Sequence, residues 1–384
     1  MNLNYHKMKF LRLAFYVLIA QLVLSGCAGE AVEETSSSSS SEINFDAYVG
    51  RNASTRSSET NIDFLKKDLH DAYNAGFGVF AIYRHTDKTI PPLMLLNNEH
   101  VYWKNWKGDQ PNWGYEHTRY WPSEGSVDFY AFAPHSDVPR LNDNFEIDFP
   151  ANWSPVDLVY ANAENQKKAD NPVKFTFRHA LARLSFEITA NPKIEEKDVV
   201  IKVKEVKLYG DKVNENKGIF LMQGLLNLKT GGWTPRDNGT RWFYTWTPDG
   251  KVEGEEDGKE DGKKDGEENK KIIYKLSAHP QLDHTNDRIT NAADSYIYII
   301  PQPKPANFML KITYTVQQGD FEETVKVYKN LLDILPPDDS NHPFFQGGKA
   351  YVFHFKLSLD PVKFDVKTTV GNWIGNEVKD EITI

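Results

Sequence analysis

The chain is poor in the residues that covalent bracing and catalysis need. It has one cysteine in 384 residues, Cys27, so no intramolecular disulfide can support the fold. Its eleven histidines are scattered. There is no His-Glu-x-x-His, no Gly-x-Ser-x-Gly and no phosphate-cradling Gly-x-x-x-x-Gly-Lys, so the chain reads as a non-enzyme with no metal and no cofactor. The net charge of −9 is spread along the sequence, and no basic patch interleaved with aromatics appears, which argues against nucleic acid as a partner.

Aromatic residues are abundant, with 22 Phe, 18 Tyr and 9 Trp. Without disulfides, stability has to come from burial, and these side chains supply it in a form suited to pleated surfaces. Most of the apolar pattern has period two. Arg183 to Thr189 places apolar residues at even positions, and Tyr351 to Leu359 places them at odd positions. Further strands are expected at 43–49, 77–83, 127–133, 199–209, 241–247, 295–300, 308–316 and 362–370. A helix is expected over Ile62 to Tyr73, where Ile62, Leu65, Leu69 and Tyr73 fall three and four apart and Gly76 can stop it. A second short helix is expected over Leu331 to Leu335, ended by Pro336-Pro337. Strands in runs, with no strand-helix alternation, give a mainly β chain of two antiparallel β-sandwich domains with one or two short helices.

The N-terminus reads as an export signal. Lys7, Lys9 and Arg12 precede about a dozen mostly apolar residues from Leu13 to Leu24, too few to span a bilayer. Leu24-Ser25-Gly26-Cys27 resembles the bacterial lipobox, in which the cysteine is acylated and becomes the first residue. Lipidation is therefore expected at Cys27, with the chain anchored in the outer membrane at the cell surface. The expected organisation is a signal peptide and lipobox over 1–27 and a polar tether over 28–41. A first sandwich over 42–193 and a second over 194–384 follow, the latter with a charged insertion at 249–271. That insertion alternates Asp and Glu with Lys and Gly, which suits a solvated loop better than a calcium site.

Tyr102, Trp103, Trp106, Trp113, Tyr115, Tyr120 and Trp121 form the densest aromatic stretch. These rings either fill the core of the first domain or present a sugar-stacking platform through Trp103, Trp106 and Trp113. His179 and His354 are expected to make structural hydrogen bonds.

Five segments together resemble the fimbrillin family, the lipoprotein-derived subunits of type V pili. They are Ile43-Asn44-Phe45 ahead of Ser54-Thr55-Arg56; Tyr120-Trp121-Pro122 followed by Val127 to Pro134; Phe177 to Leu184; Tyr298 to Gln302; and Gly347 to Tyr351 leading to Val370-Gly371-Asn372-Trp373. The resemblance implies transthyretin-like sandwiches and assembly with other pilus subunits by donor-strand exchange. In that scheme an Arg-specific protease removes an N-terminal strand, here 43–49, with Arg56 the first candidate cleavage site and Arg51 the second. The donor strand is then expected in the C-terminal tail, through Val362, Phe364, Val366, Ile382 and Ile384. A host or microbial surface ligand is a further possible partner. Tip, stalk and anchor roles stay open, and the insertion leans weakly toward a minor or tip-like subunit. The alternative is a stand-alone surface lipoprotein that binds glycans through the aromatic patch.

Overall fold

The computed structural model describes residues 41–49, 60–104, 111–149, 157–190, 199–221, 223–237, 241–246, 279–282, 297–333, 345–357 and 365–372. In chain order the first strands are β1 (Phe45–Val49), β2 (Phe77–Arg84), β3 (Leu93–Lys104), β4 (Asn112–Gly114), β5 (Ser126–Ala133), β6 (Glu146–Phe149), β7 (Val159–Gln166) and β8 (Val173–His179). They are followed by β9 (Ala182–Ala190), β10 (Val199–Tyr209), β11 (Gly224–Asn227), β12 (Trp233–Pro235), β13 (Trp242–Trp246) and β14 (His279–Leu282). The last are β15 (Ile297–Ile299), β16 (Met309–Gln318), β17 (Phe321–Asn330), β18 (Lys349–Leu357) and β19 (Asp365–Asn372). The mainly β, sandwich-built fold expected from the alternation is the fold observed.

The first sheet has seven strands in the order β1-β8-β7-β5-β2-β3-β4. Successive residues of β5 serve two cores. Phe129 and Ala131 join the cluster of Phe45, Phe77 and Phe175, whereas Tyr130 and Phe132 join Ile147 and Phe149 of the three-stranded sheet β12-β11-β6. Alternation therefore reads as a continuous apolar run here, because both faces are covered. The five-stranded sheet β14-β13-β10-β16-β17 packs against the four-stranded sheet β15-β9-β18-β19 through Leu208, Leu310, Tyr314, Phe353 and Phe355.

Among the described residues pairing is antiparallel except at two places, β1 with β8 and β9 with β18. The consecutive strands β8 and β9 enter different sheets, so the chain crosses from one sheet system to the next at Ala180-Leu181. The boundary expected at 193/194 falls between β9 and β10, outside the described residues.

The helix expected over 62–73 is a correction. Only Ile62–Leu65 is helical (α1), capped by Asn61 Oδ1, which accepts from the Phe64 amide. Asp68 then accepts from the His70 amide and forms a local turn, diverting the backbone from the helical ladder. Tyr73, expected on the buried face, is 85% exposed. Gly76 does take the left-handed region at φ +83°, but as the entry to β2, where an added Cβ would lie 2.2 Å from the Val101 carbonyl oxygen. Of the second expected helix, Leu331–Asp333 forms a 3₁₀ turn, and residues 334 and 335 lie outside the described residues. Strand β3 is absent from the expected set because its pairing with β2 is irregular. Asn98 takes φ +56° there and its amide donates to the Ser136 and Pro139 carbonyls. Strand β17 is absent for another reason: only Val325 and Val327 are buried along it, so no alternation of useful length exists.

Candidate functional site

Strand β1 alternates buried and exposed residues over its whole length, as the sequence Phe45-Asp46-Ala47-Tyr48-Val49 dictates. It runs parallel to β8, with Phe45 opposite Val173 and Val49 opposite Phe177. Phe45 reaches the centre of the core, where its ring lies 5.8 Å from both Phe129 and Phe175 and 5.5 Å from Tyr115. Complete burial of an aliphatic or aromatic side chain contributes about 1.5–3 kcal/mol. Ile43, Phe45 and Val49 all reach that environment, so this short segment holds the sheet with several kcal/mol of burial.

The backbone just ahead of β1 is bound on the opposite flank. The Ile43 amide donates to the Arg119 carbonyl and the Trp121 amide to the Ser41 carbonyl, both at 2.8 Å. The Tyr115 hydroxyl donates to the Ile43 carbonyl, and burial raises that phenol above its ordinary value, which keeps it a donor. Asn171 binds from the β8 side. Its Oδ1 accepts from the Asn44 amide and its Nδ2 donates to the Glu42 carbonyl. Residues 41–49 are thus the stave that joins β8 to the 119–121 segment. Without them β8 becomes an edge, and a groove floored by Phe77, Phe129, Phe175 and Tyr115 opens.

The chain is pinned again soon after the stave. Thr60 is 3% exposed; its amide donates to Asp157 Oδ2 at 2.8 Å and its hydroxyl donates to the Asp157 carbonyl. Asp157 is itself fully buried, and His179 Nδ1 lies 3.0 Å from its Oδ1. This Thr60–Asp157–His179 clamp ties the chain at residue 60 to the segment ahead of β7 and to the end of β8. Arg51 and Arg56 fall between the stave and the clamp, outside the described residues, as do Cys27 and the 249–271 insertion.

At the other end of the chain, Val366 lies in β19 opposite Phe355 of β18, and β19 is the last strand of its sheet. The expected donor residue Val366 is thus already paired within its own sheet, because 365–372 continues the hairpin begun by β18. Val362, Phe364, Ile382 and Ile384 lie outside the described residues. Trp113 is 7% exposed and its ring packs edge-on against Phe77 at 5.0 Å and Trp103 at 5.1 Å. Trp103 in turn carries the Lys66 ammonium 4.2 Å from its ring centre. The two indoles belong to one packed layer; Trp106 lies outside the described residues. No group of three or more metal-ligating side chains occurs among the described residues.

Sequence reasoning picked out β1 but missed the Asp157 clamp. Asp157 has no motif around it, and the only hint was His179 next to the apolar Ala180-Leu181.

Comparison with known proteins gives this arrangement a family. The model of the fimbrillin-like family matches residues 55–373. The chain belongs to the fimbrillin-like family. Among solved structures, a fimbrial protein from Bacteroides vulgatus ATCC 8482 superposes with a TM-score of 0.53 at 18% identity, covering 86% of this fimbrillin-like chain and 99% of the other. That likeness is one of fold. A candidate cell adhesion protein from Bacteroides uniformis ATCC 8492 has a TM-score of 0.46 at 15% identity, covering 87% and 99%. The tip fimbrial protein Mfa3 from Porphyromonas gingivalis, with C-terminal truncation, has 0.32 at 10%, covering 78% and 96%. No curated protein matches the sequence. The family match begins at residue 55, after the stave formed by 41–49.

Proposed function

We propose that this fimbrillin-like protein is a structural and adhesive subunit of a cell-surface fimbrium. It reaches the outer membrane through acyl chains on Cys27 and assembles with other subunits after its N-terminal stave is removed. The observation that carries this reading is the position of residues 41–49. They close the first sheet with buried alternate side chains and lead directly into the segment that holds Arg51 and Arg56. A strand held at a sheet end by backbone pairing and side-chain pockets can be replaced by another strand of the same pattern. The clamp at Thr60 keeps the rest of the subunit folded after a cut at Arg56, or at Arg51. Since Val366 belongs to β19, the replacing strand is assigned to the tail beyond Asn372, where Ile382 and Ile384 supply alternate apolar residues.

The test is to treat the purified chain with an Arg-specific protease and follow its N-terminus and its assembly. The reading requires loss of a peptide ending at Arg56 or Arg51, followed by fibres visible by electron microscopy. A trimmed chain that stays monomeric at high concentration would remove the stalk role.

A further inference from the structure

Three loops at one end of the first sheet enclose an open cleft of about 800 Å³. One loop follows β2, one precedes β5 and one follows β7. Four cations line it: Arg84, Lys88, Lys167 and Lys168, beside His85 and a single carboxylate, Glu124. The three lysines are exposed and have no carboxylate partner among the described residues. Arg84 uses only its Nε, on Asp128, and leaves both η nitrogens unengaged within the described residues.

The nearby acids, by contrast, are committed. Glu124 takes the Thr86 hydroxyl on one oxygen and lies 3.1 Å from His85 Nε2 on the other. Asp128 divides its oxygens between Arg84 and the Asn165 amide. Asp87 and Asp170, just outside the lining, each cap their own loop, through Thr89 and the Lys167 amide. On a chain of net charge −9, the lining of this concave surface itself carries four cations to one carboxylate, with Asp87, Asp128 and Asp170 held just outside it. Apolar surface is present too, from Ile90, Pro92 and Pro122, with the buried Trp121 indole behind them.

We infer that this cleft binds an acidic oligosaccharide, one whose sugar rings carry carboxylates. Lysines spread over two separate loops suit a ligand with several spaced charges, and a single inorganic anion would fill little of the volume. The exposed Ile90 and Pro92 and the half-buried Pro122 suit the apolar C–H faces of sugar rings. An acidic peptide is disfavoured because no sheet edge opens here: β2 lies between β5 and β3, and β7 between β8 and β5, so no strand can add by backbone pairing. This site is separate from the Trp103 to Trp113 layer and does not depend on strand exchange.

The experiment is calorimetric titration of the full chain, purified in detergent, with oligogalacturonate. The expected result is saturable binding, weakened by added salt as exposed ion pairs are screened. The methyl-esterified oligosaccharide does not bind. The triple variant Lys88→Ala, Lys167→Ala, Lys168→Ala binds at least about tenfold more weakly, as three exposed ion pairs imply. Its melting temperature is unchanged, since these side chains are exposed. Equal binding of the ester, equal binding by the variant, no binding, or matching affinity for polyglutamate or for inorganic phosphate would each overturn the assignment.

Discussion

Phe45 and Phe175 stack with ring centres 5.8 Å apart and planes 15° from parallel, across the parallel pair of β1 and β8. One ring belongs to the segment proposed to leave, and the other belongs to the groove it would vacate. The same contact therefore holds the precursor together and defines the pocket that a replacing strand must fill.

Replacing Phe45 with Ala should destabilise the uncut chain by about 3–5 kcal/mol, the usual cost of removing a buried aromatic ring. Urea unfolding measures this. The same substitution should have no effect on a chain from which residues up to 56 have been removed, because the ring is then absent from both. An unchanged midpoint in the uncut chain would mean that β1 does not carry the closure.

The clamp makes a separate prediction. Asp157→Ala removes the carboxylate that accepts from the buried Thr60 amide and faces His179 Nδ1, while the Thr60 hydroxyl keeps the backbone carbonyl as its acceptor. Stranding the buried amide costs about 1–3 kcal/mol. Hydrogen exchange at Thr60 and its neighbours should rise well before the strands of the five-stranded sheet are affected. If protection at Thr60 stays as in the parent, the clamp is not what fixes the retained end.

Acid should loosen the first sheet through a pair of stacked imidazoles. His100 and His135 lie 3.8 Å apart and 9° from parallel, and burial, followed by the His100 ring, pushes His135 down to about 4. Burial lowers His100 as well, against the favourable bond to the Ala75 carbonyl. A histidine depressed in the folded state binds its proton first in the unfolded chain. Stability is thus complete above pH ~6.5 and is lost as pH falls toward about 4, by on the order of 3 kcal/mol from His135. His135→Leu should flatten the dependence of unfolding free energy on pH in that window, and an unchanged slope would assign the acid sensitivity elsewhere.

Gly76→Ala combines a left-handed backbone with an obstructed Cβ, so it should cost about 2 kcal/mol or more and lower the melting temperature accordingly. Gly319→Ala is the control, since it shares the positive φ but meets nothing within 4 Å. If the two variants lose the same amount, the close approach of Val101 contributes nothing.

Much of this architecture is legible in the sequence wherever one face of a strand is buried and the other is wet. Phe45-Asp46-Ala47-Tyr48-Val49 is such a case: its period of two is visible before any partner is known. Family membership is legible too, because the segments that suggest it are spread along the chain, and the family model matches residues 55–373. Other features are decided by partners distant in the chain. Asp157 and Thr60 are 97 residues apart, and nothing local marks either as a clamp. The helical spacing from Ile62 to Tyr73 was misleading because Asp68 offers the backbone a competing turn. The cationic cleft draws on three loops, none of which is basic enough alone to stand out.

Native mass spectrometry of the chain after Arg-specific cleavage tests strand replacement most directly. The proposal predicts a ladder of oligomers, each subunit starting just after Arg56 or Arg51, and a loss of the ladder when the chain is truncated after Asn372. Persistence of the cut N-terminal peptide on a monomer, or an unchanged ladder in the truncated chain, would contradict it.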